Sequence, residues 1–364
     1  MESQIPFLIV GQGIAGTTLA LTFWRNNIPF VVIDRGFEKS ASLVAAGLYN
    51  PFTGPEMKLT WNAKALFESL SNFYPWAEEL LNAKFFFPKT IYRPFLSVWE
   101  QNEILAKASE NPAFVGEEPP LSALSETVNN PFGGLSTNQS GFVRTPVYLD
   151  AARQFFNQAD CLIEEEFLQE KVEFNSTGIT YKGKNYQGLI YANGVAAQEG
   201  PFEFVPFRPN KGEVLNITWD KSPSFIPNRK VYLVPLPEAN AYKVGATYSN
   251  NFEHNQPTEQ GKKELTDHLN NLIVGKWEVT NHLAGVRPAI ADRKPVIGMH
   301  PEQPFTYIFG GLGAKGISLA PWCAFKLLNN LVNDEILPTE IHVLRFKKRY
   351  QLLKASTKSK VLAT

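Results

Sequence analysis

The chain has 364 residues, 44% of them hydrophobic and 19% charged, and its 35 basic and 35 acidic side chains leave it without net charge. This composition is typical of a soluble globular protein, and the length allows two domains. Because a neutral chain has no overall field to attract nucleic acid or an anionic membrane, we expect neither as a partner.

The first 34 residues contain a dinucleotide-binding pattern. An apolar strand precedes the turn GQGIAG, and an amphipathic helix then leads to a second apolar strand that ends at Asp34. Gly11, Gly13 and Gly16 fit G-x-G-x-x-G, and Asp34 follows at roughly the 20-residue distance of a ribose-binding acid. The helix N-terminus favours a phosphate anion. The pattern predicts NAD or FAD; the alternative is a βαβ unit whose glycines serve packing only.

Residues 7–24 carry no charge and could be mistaken for a signal peptide or a membrane span. Their three glycines and three threonines, and the absence of Lys or Arg before them, argue against both. We therefore expect a cytoplasmic protein.

The next elements alternate between helices and short strands. The run from Ala41 to Gly47 is rich in small residues and is predicted to approach a flat ligand closely. Apolar spacing predicts a helix over 62–81, aromatic strands over 85–99 and a helix over 101–111. Residues 117–141 are rich in Pro, Gly, Asn and Ser, which predicts loops that cross between domains.

The middle of the chain changes its pattern. Thr145 is predicted to cap a helix that has Pro146 at its first position. A strand-like segment, 186–194, ends in Ala-Asn-Gly, a small-residue loop where an open sheet presents ligand contacts. Alternating strands over 202–251 and a helix over 262–273 lack βαβ order. They predict a mixed or antiparallel sheet, and hence a second domain built from insertions.

Several spaced segments resemble the D-amino-acid-oxidase-like FAD-dependent oxidoreductases, a group that includes glycine and sarcosine oxidases and the oxidase half of a bifunctional tRNA-modifying enzyme. The matching segments span nearly the whole chain: IVGQGIAG with Asp34, AAGLYNP, YANG, GVRP and GGLGAKGISLAP. The resemblance implies FAD rather than NAD. It implies non-covalent binding, because Phe309 and Gly310 stand where some sarcosine oxidases carry the attaching cysteine.

The resemblance and the insertions together predict an α/β fold class, α+β overall. A Rossmann-like FAD-binding domain is expected to comprise residues 1–62, 140–202 and 284–364. A substrate domain with a mixed or antiparallel sheet is expected to comprise 63–139 and 203–283.

The expected FAD contacts lie in these motifs. They are Gly11, Gly13, Ile14, Ala15, Gly16, Asp34, Arg35, Ala46, Gly47, Asn193, Gly194, Gly311, Leu312, Gly313, Ala314, Lys315 and Gly316. A helix N-terminus at the C-terminal glycine block would stabilise negative charge on the reduced ring, with Lys315 adding positive charge. The alternative is a tight turn with a solvated Lys315.

Two residues are expected to contact the substrate. A guanidinium binds a carboxylate bidentately, and the resemblance gives the Arg of GVRP, Arg287, that role; the alternative is a structural ion pair, for instance with Asp292. Tyr232 lies on a strand that lines the substrate cavity in the family, although a core tyrosine is the alternative. Tyr248 and Lys243 are weaker candidates.

The activity implied is oxidation of the C–N bond of a small amino acid or secondary amine that carries a carboxylate, with hydride transfer to flavin N5 and reoxidation by dioxygen or another acceptor. Alternatives are a tRNA-wobble-uridine modifying oxidoreductase and a flavin-binding protein without oxidase activity. Cys161 and Cys323 have no metal-ligand spacing and the five histidines are scattered, so we expect no metal site.

Overall fold

The structure is a computed structural model that describes residues 5–36, 40–54 and 56–361. Its α-helices are α1 (Ile14–Arg25), α2 (Ala41–Val44), α3 (Ala63–Leu81), α4 (Val98–Ser109), α5 (Leu121–Thr127), α6 (Thr145–Gln158), α7 (Glu259–Leu272), α8 (Gly316–Asn333) and α9 (Lys347–Val361). Among the described residues, no helix is both long enough and apolar enough to cross a membrane.

The strands are β1 (Phe7–Val10), β2 (Phe30–Ile33), β3 (Leu48–Tyr49), β4 (Phe52–Thr53), β5 (Lys58–Leu59), β6 (Phe86–Pro88), β7 (Ile91–Pro94), β8 (Gly134–Thr137), β9 (Gly141–Val143), β10 (Leu162–Ile163), β11 (Val172–Phe174), β12 (Ile179–Tyr181), β13 (Lys184–Tyr186), β14 (Gly188–Tyr191), β15 (Asn210–Trp219), β16 (Ile226–Arg229), β17 (Val231–Pro235), β18 (Ala241–Gly245), β19 (Trp277–Arg287), β20 (Val296–Met299) and β21 (Thr306–Gly310).

The first large sheet has the order β10-β2-β1-β14-β21-β20, and all its neighbours are parallel except β20 and β21. Its central strands are apolar throughout because both faces are covered. Phe7 and Ile9 of β1 pack into the core that contains α1, α6 and α8, whereas Leu8 and Val10 pack into the core on the opposite face.

The second large sheet has the order β19-β15-β18-β17-β16-β7-β8 and is antiparallel except between β16 and β7. Its outer face packs on α7, where Leu215 and Ile217 meet Leu265 and Leu269. The opposite face, called the inner face below, is turned toward α2. Strand pairing places these residues on it: Asn210, Gly212, Val214, Asn216, Tyr232, Lys243, Gly245, Gly285 and Arg287.

These two sheets and their helices confirm the predicted mixed α/β fold class. The second sheet takes its strands from segments on either side of β9–β14, which is the arrangement expected for insertions. The domain boundaries themselves stay a prediction.

The helix predicted over 62–81 is confirmed as α3. The strand prediction over 85–99 is wrong after Pro94, because Ser97 and Glu100 start α4. Ser97 Oγ accepts from the Glu100 backbone N–H at 3.1 Å, and the Glu100 carboxylate accepts from that of Leu96 at 2.5 Å. The pair is a variant of the capping box, because the Glu100 carboxylate binds the N–H of the residue before the N-cap rather than that of the N-cap itself, and it stabilises a helix start in place of the strand.

The loop prediction over 117–141 is wrong in two places. It missed α5, where Leu124 is buried with Tyr92, and it missed β8, which pairs with β7. Tertiary packing overrides the turn-rich composition there. The α6 prediction is wrong by one residue, because the helix begins at Thr145 and Arg144 is the N-cap.

Candidate active site

The predicted cofactor motifs meet at one edge of the parallel sheet. Gly11 follows β1, Asn193 follows β14 and Gly311 follows β21, and these three strands are parallel neighbours. Their carboxyl ends therefore open on the same crevice, which is where open α/β sheets bind ligands.

The turn before α1 depends on the absence of side chains. Gly11 has φ +99°, and a Cβ there would lie 2.8 Å from the Asn193 Cα. A Cβ on Gly16 would lie 1.8 Å from the carbonyl oxygen of Gly11. The helix therefore begins directly against two strand ends. Gly13 is its N-cap and provides no side-chain cap, so the N–H groups of Ala15 and Gly16 in the first turn have no acceptor among the described residues, whereas that of Ile14 binds Ser42.

Asp34 is oriented by hydrogen bonds at this turn. Its Oδ2 accepts from the Gln12 backbone N–H at 2.8 Å, and its Oδ1 accepts from that of Gly36 at 2.7 Å. Arg153 of α6 lies 3.3 Å from Oδ1 and also donates to the Gln12 side chain at 2.6 Å. Sequence reasoning missed Arg153, since it lies more than a hundred residues from Asp34 and in no motif.

Arg35 and Gly47 have other partners in the structure. Arg35 is exposed and forms an ion pair with Glu166 at 2.7 Å. Gly47 permits close packing, because a Cβ there would lie 1.8 Å from the carbonyl oxygen of Val143. Their predicted contacts with FAD remain predictions.

Two buried polar atoms, one beside the turn and one at the start of α2, lack a partner within the described part of the chain. They are Asn193 Oδ1, next to Gly11, and Ser40 Oγ, at the N-cap of α2. Ser42, in the same helix, accepts from the backbone N–H of Ile14 at 3.1 Å. Because buried polar groups are normally hydrogen-bonded, these two atoms have unused hydrogen-bonding capacity.

The C-terminal glycine block joins β21 to α8. Gly311 and Gly313 have φ of +69° and +54°, in the left-handed region, and a Cβ on Gly310 would meet no atom within 4 Å. The backbone thus borders open space where β21 ends. Lys315 is the N-cap residue, and its ammonium donates to Thr53 Oγ1 at 3.3 Å and Thr60 Oγ1 at 3.4 Å. The side chain is half-buried and burial lowers its pKa, and its predicted role beside FAD stays a prediction.

Arg287 lies on the inner face at the end of β19. Its Nη1 donates to Asn210 Oδ1 at 2.6 Å, and both terminal nitrogens donate to the carbonyl oxygen of Thr247 at 3.2 and 3.3 Å. The guanidinium lies over Gly212, where a Cβ would be 2.0 Å from Nη2. The alternative pair with Asp292 does not form, since that carboxylate binds Arg345 at 2.8 Å.

These contacts leave one edge of the Arg287 guanidinium available. Nη1 uses its hydrogens on Asn210 and Thr247, and Nη2 uses one on Thr247. Nε–H and the second Nη2–H have no acceptor among the described residues, and together they form the edge that binds a carboxylate bidentately. Burial lowers the pKa of Arg287 but leaves a group of this type charged.

Tyr232 lies on β17 with its hydroxyl above Gly245 of the neighbouring strand, where a Cβ would be 2.5 Å from the Tyr232 oxygen. Burial raises its pKa to about 12, and the charge of Arg287 acts on it in the opposite direction. The hydroxyl therefore remains protonated and can donate a hydrogen bond. The hydroxyl lies over β18 on the inner face, and β18 is the neighbour of β15, the strand over which the Arg287 guanidinium lies.

Lys243 links the inner face to α2. Its Nζ donates to the carbonyl oxygens of Val44, Leu43 and Ala45 at 3.1, 3.4 and 3.5 Å. The side chain is buried, and burial lowers its pKa to about 8. Lys243 was a weak candidate from sequence, and the structure places it beside the small-residue run.

Lys243 predicts a pH dependence of stability. Its pKa is 10.5 ordinarily and about 8 when folded, so between these pH values the unfolded chain binds more protons. The free energy of unfolding should then rise with pH over that window, relative to Lys243→Met, by up to about 3 kcal/mol. Urea unfolding of both proteins at pH 7 to 10.5 measures this difference. A difference that does not change with pH would contradict the prediction.

Sequence reasoning also missed Asn210 and Thr247. Both are buried and hold Arg287, yet neither belongs to a recognisable motif. The register of β15 against β19 brings Asn210 opposite Arg287, and that pairing spans 77 residues. Only the register prediction of a long antiparallel pair could have found it.

Comparison with known proteins identifies the family. The family model described as DAO, FAD dependent oxidoreductase, matches residues 7–328. The chain is similar to the bifunctional protein of tRNA 5-methylaminomethyl-2-thiouridine biosynthesis from Marinobacter nauticus. That match has 24% identity over 90% of this chain and 55% of the relative. It is also similar to glycine oxidase from Bacillus subtilis, with 26% identity over 46% of this chain and 48% of that protein. The chain spans about half the length of these two relatives.

A solved structure agrees with this assignment. The crystal structure of glycine oxidase from Geobacillus kaustophilus has a TM-score of 0.73 to this chain, with 19% identity, and the match covers 92% of this chain and 95% of that one. The likeness shows a shared fold. FAD is the cofactor that the family implies, as the sequence predicted. The chain belongs to the DAO family of FAD-dependent oxidoreductases.

Proposed function

We propose that the protein oxidises the C–N bond of a small amino acid or secondary amine that carries a carboxylate. The observation that supports this most directly is the free edge of Arg287. The guanidinium is held by Asn210 and Thr247, which are neutral acceptors, so its charge and two N–H donors are available to an anion.

We propose that FAD lies along the crevice, with its diphosphate at the N-terminus of α1 and its ring beside the C-terminal glycine block. The residues present fit this group. Asn193 Oδ1, beside the turn, and Ser40 Oγ, at the N-cap of α2, have no hydrogen-bond partner among the described residues, and Gly310 borders open space at the end of β21. The remaining contacts predicted from sequence, from Gly11 to Gly316, belong to the same proposal.

Arg287 and Tyr232 would orient the substrate. Arg287 binds the carboxylate side-on, and the Tyr232 hydroxyl donates to the same group from β17, on the same inner face of the sheet. FAD, when bound, supplies the acceptor for the hydride. Both side chains are donors rather than bases, so they contribute by positioning the substrate, and the amine is proposed to react in its deprotonated form. Dioxygen or another acceptor would complete the cycle.

Three further predictions form part of this proposal. Non-covalent attachment is supported by Phe309 in the position of a possible attaching cysteine and by the full burial of Cys323. Both described cysteines are free thiols, which supports a cytoplasmic location. The two-domain division at the predicted boundaries is supported by the separate sheets.

Two alternatives remain to be tested. Oxidation of a group on tRNA is favoured by the likeness to the Marinobacter protein but disfavoured by the neutral charge of the chain. A flavin-binding protein without oxidase activity would use the same crevice.

Anaerobic mixing tests the activity. We expect the flavin absorbance of the purified holoenzyme to bleach with at least one member of a panel of D- and L-amino acids, glycine, sarcosine and proline. The reason is that reduction removes the visible absorbance of the oxidised ring, and oxygen cannot restore it. Persistent colour with every compound would favour a protein without oxidase activity.

Arg287→Leu should retain FAD but raise the KM for the carboxylate substrate. Loss of a buried charge-assisted bidentate contact predicts a change of about 100-fold. Steady-state kinetics and the flavin content of the purified variant measure the two effects separately. A KM equal to that of the wild type would remove Arg287 from the substrate site.

Gly16→Ala should weaken FAD binding by about 100-fold or more, because its Cβ would collide with a backbone oxygen that cannot move independently. FAD titration of the apoprotein measures this. Arg25→Ala, in the exposed last turn of the same helix, is the matched control and should bind FAD normally. A yellow Gly16→Ala protein with normal affinity would contradict the packing account.

A further inference from the structure

The Arg287 guanidinium is held on one side by a group of residues that no motif predicts. We propose that Asn210 is a positioning residue, which fixes Arg287 so that its Nε–Nη2 edge faces the substrate carboxylate. This proposal rests on the proposed function of Arg287. It concerns how that side chain selects its ligand rather than whether it binds one.

The contact between Asn210 and Arg287 is short and fully enclosed. Asn210 has no exposed surface, and its Oδ1 accepts from Arg287 Nη1 at 2.6 Å. The Asn210 Nδ2 donates to Asn250 Oδ1 at 3.2 Å. Because the nitrogen side of the amide is committed to Asn250, the oxygen side has to face the guanidinium. The amide is thus oriented as an acceptor before any ligand arrives.

The segment from Thr247 to Asn250 completes the arrangement. It runs beside β15, with backbone hydrogen bonds between Ser249 and Lys211 in both directions at 2.8 and 2.9 Å. The Thr247 hydroxyl accepts from the Glu213 backbone N–H at 2.9 Å, which fixes the carbonyl that receives Arg287. The Tyr248 ring lies 5.7 Å from the guanidinium.

The choice of an amide at this position has an electrostatic consequence. A carboxylate in place of the Asn210 amide would accept the same hydrogen bond but would also neutralise Arg287. A substrate carboxylate would then compete with a buried negative charge at the same guanidinium. Asn210 therefore holds the side chain without lowering its attraction for an anion.

The glycine below the guanidinium restricts the geometry further. Gly212 follows Asn210 on the same face, and a Cβ there would lie 2.0 to 2.5 Å from three atoms of the guanidinium. The guanidinium is therefore in contact with the backbone of β15, and the Nε–Nη2 edge is the one that has no acceptor among the described residues. The carboxylate has only that edge to bind.

The test compares Asn210→Ala and Asn210→Asp in the holoenzyme. Acetate serves as a carboxylate probe that the enzyme cannot oxidise, and its binding is measured from the change that it causes in the flavin absorbance. KM and kcat are measured with an amino acid that bleaches the flavin. We expect acetate to bind about 10-fold more weakly to Asn210→Ala and about 100-fold more weakly to Asn210→Asp, with little change in kcat. Equal binding by Asn210→Asp and the wild type would overturn the proposal.

Asn216→Ala is the matched control. Asn216 lies on the same strand and the same face, about 20 Å from Asn210 along β15, and it pairs with Lys243 rather than Arg287. It should bind acetate like the wild type. An equal loss in Asn216→Ala and Asn210→Ala would show a general effect on the sheet and would overturn the positioning role.

Asn250→Ala is a variant that should fold with little loss of stability, because Asn250 is exposed. It frees the Asn210 amide to turn and should weaken acetate binding by about 3-fold or more with normal FAD content. Unchanged acetate binding would contradict the proposal that Asn250 orients Asn210, which in turn orients Arg287. If Arg287→Leu also leaves acetate binding unchanged, the proposed function of Arg287 fails; if only the Asn210 and Asn250 variants do so, the positioning proposal fails alone.

Discussion

The site depends on the close approach of α1 to the carboxyl ends of β1 and β14. A Cβ on Gly16 would lie 1.8 Å from the Gly11 carbonyl, and one on Gly11 would lie 2.8 Å from the Asn193 backbone. This packing sets the helix N-terminus at the crevice, where its N–H groups and dipole favour an anion. The orientation of Asp34 follows from it, because the same turn supplies the Gln12 N–H that binds the carboxylate.

The second constraint is the connection between this crevice and the inner face of the antiparallel sheet. The short helix α2 forms this connection, because it contacts α1 on one side and the antiparallel sheet on the other. Ser42 accepts from the backbone of Ile14 at the start of α1, whereas the carbonyl oxygens at the other end of α2 accept from Lys243. Gly285 completes the contact, because a Cβ there would lie 3.2 Å from Val44. Small residues in this run thus allow one helix to bridge the cofactor crevice and the proposed substrate face.

Much of this could be predicted where the signal is local. The glycine turn and α3 follow from spacing and turn chemistry over a few residues, and the family resemblance extends them to the cofactor. Asn210, Thr247 and Arg153 could not be predicted, because their roles arise from pairing over 40 residues or more. The helix α5 was missed for a related reason, since buried contacts of Leu124 stabilise it against its turn-rich composition.

The partners of two arginines show how one residue type takes different roles in the same chain. Arg153 contacts the carboxylates of Asp34 and Glu164, at 3.3 and 2.9 Å, so its charge is compensated within the fold and it serves structure. Arg287 is bound by an amide oxygen and a backbone carbonyl, which accept hydrogen bonds without compensating its charge. A half-buried cation that is held firmly and left uncompensated gains most from an anionic ligand. The chemistry of its acceptors, rather than its burial, therefore distinguishes the arginine proposed to bind substrate.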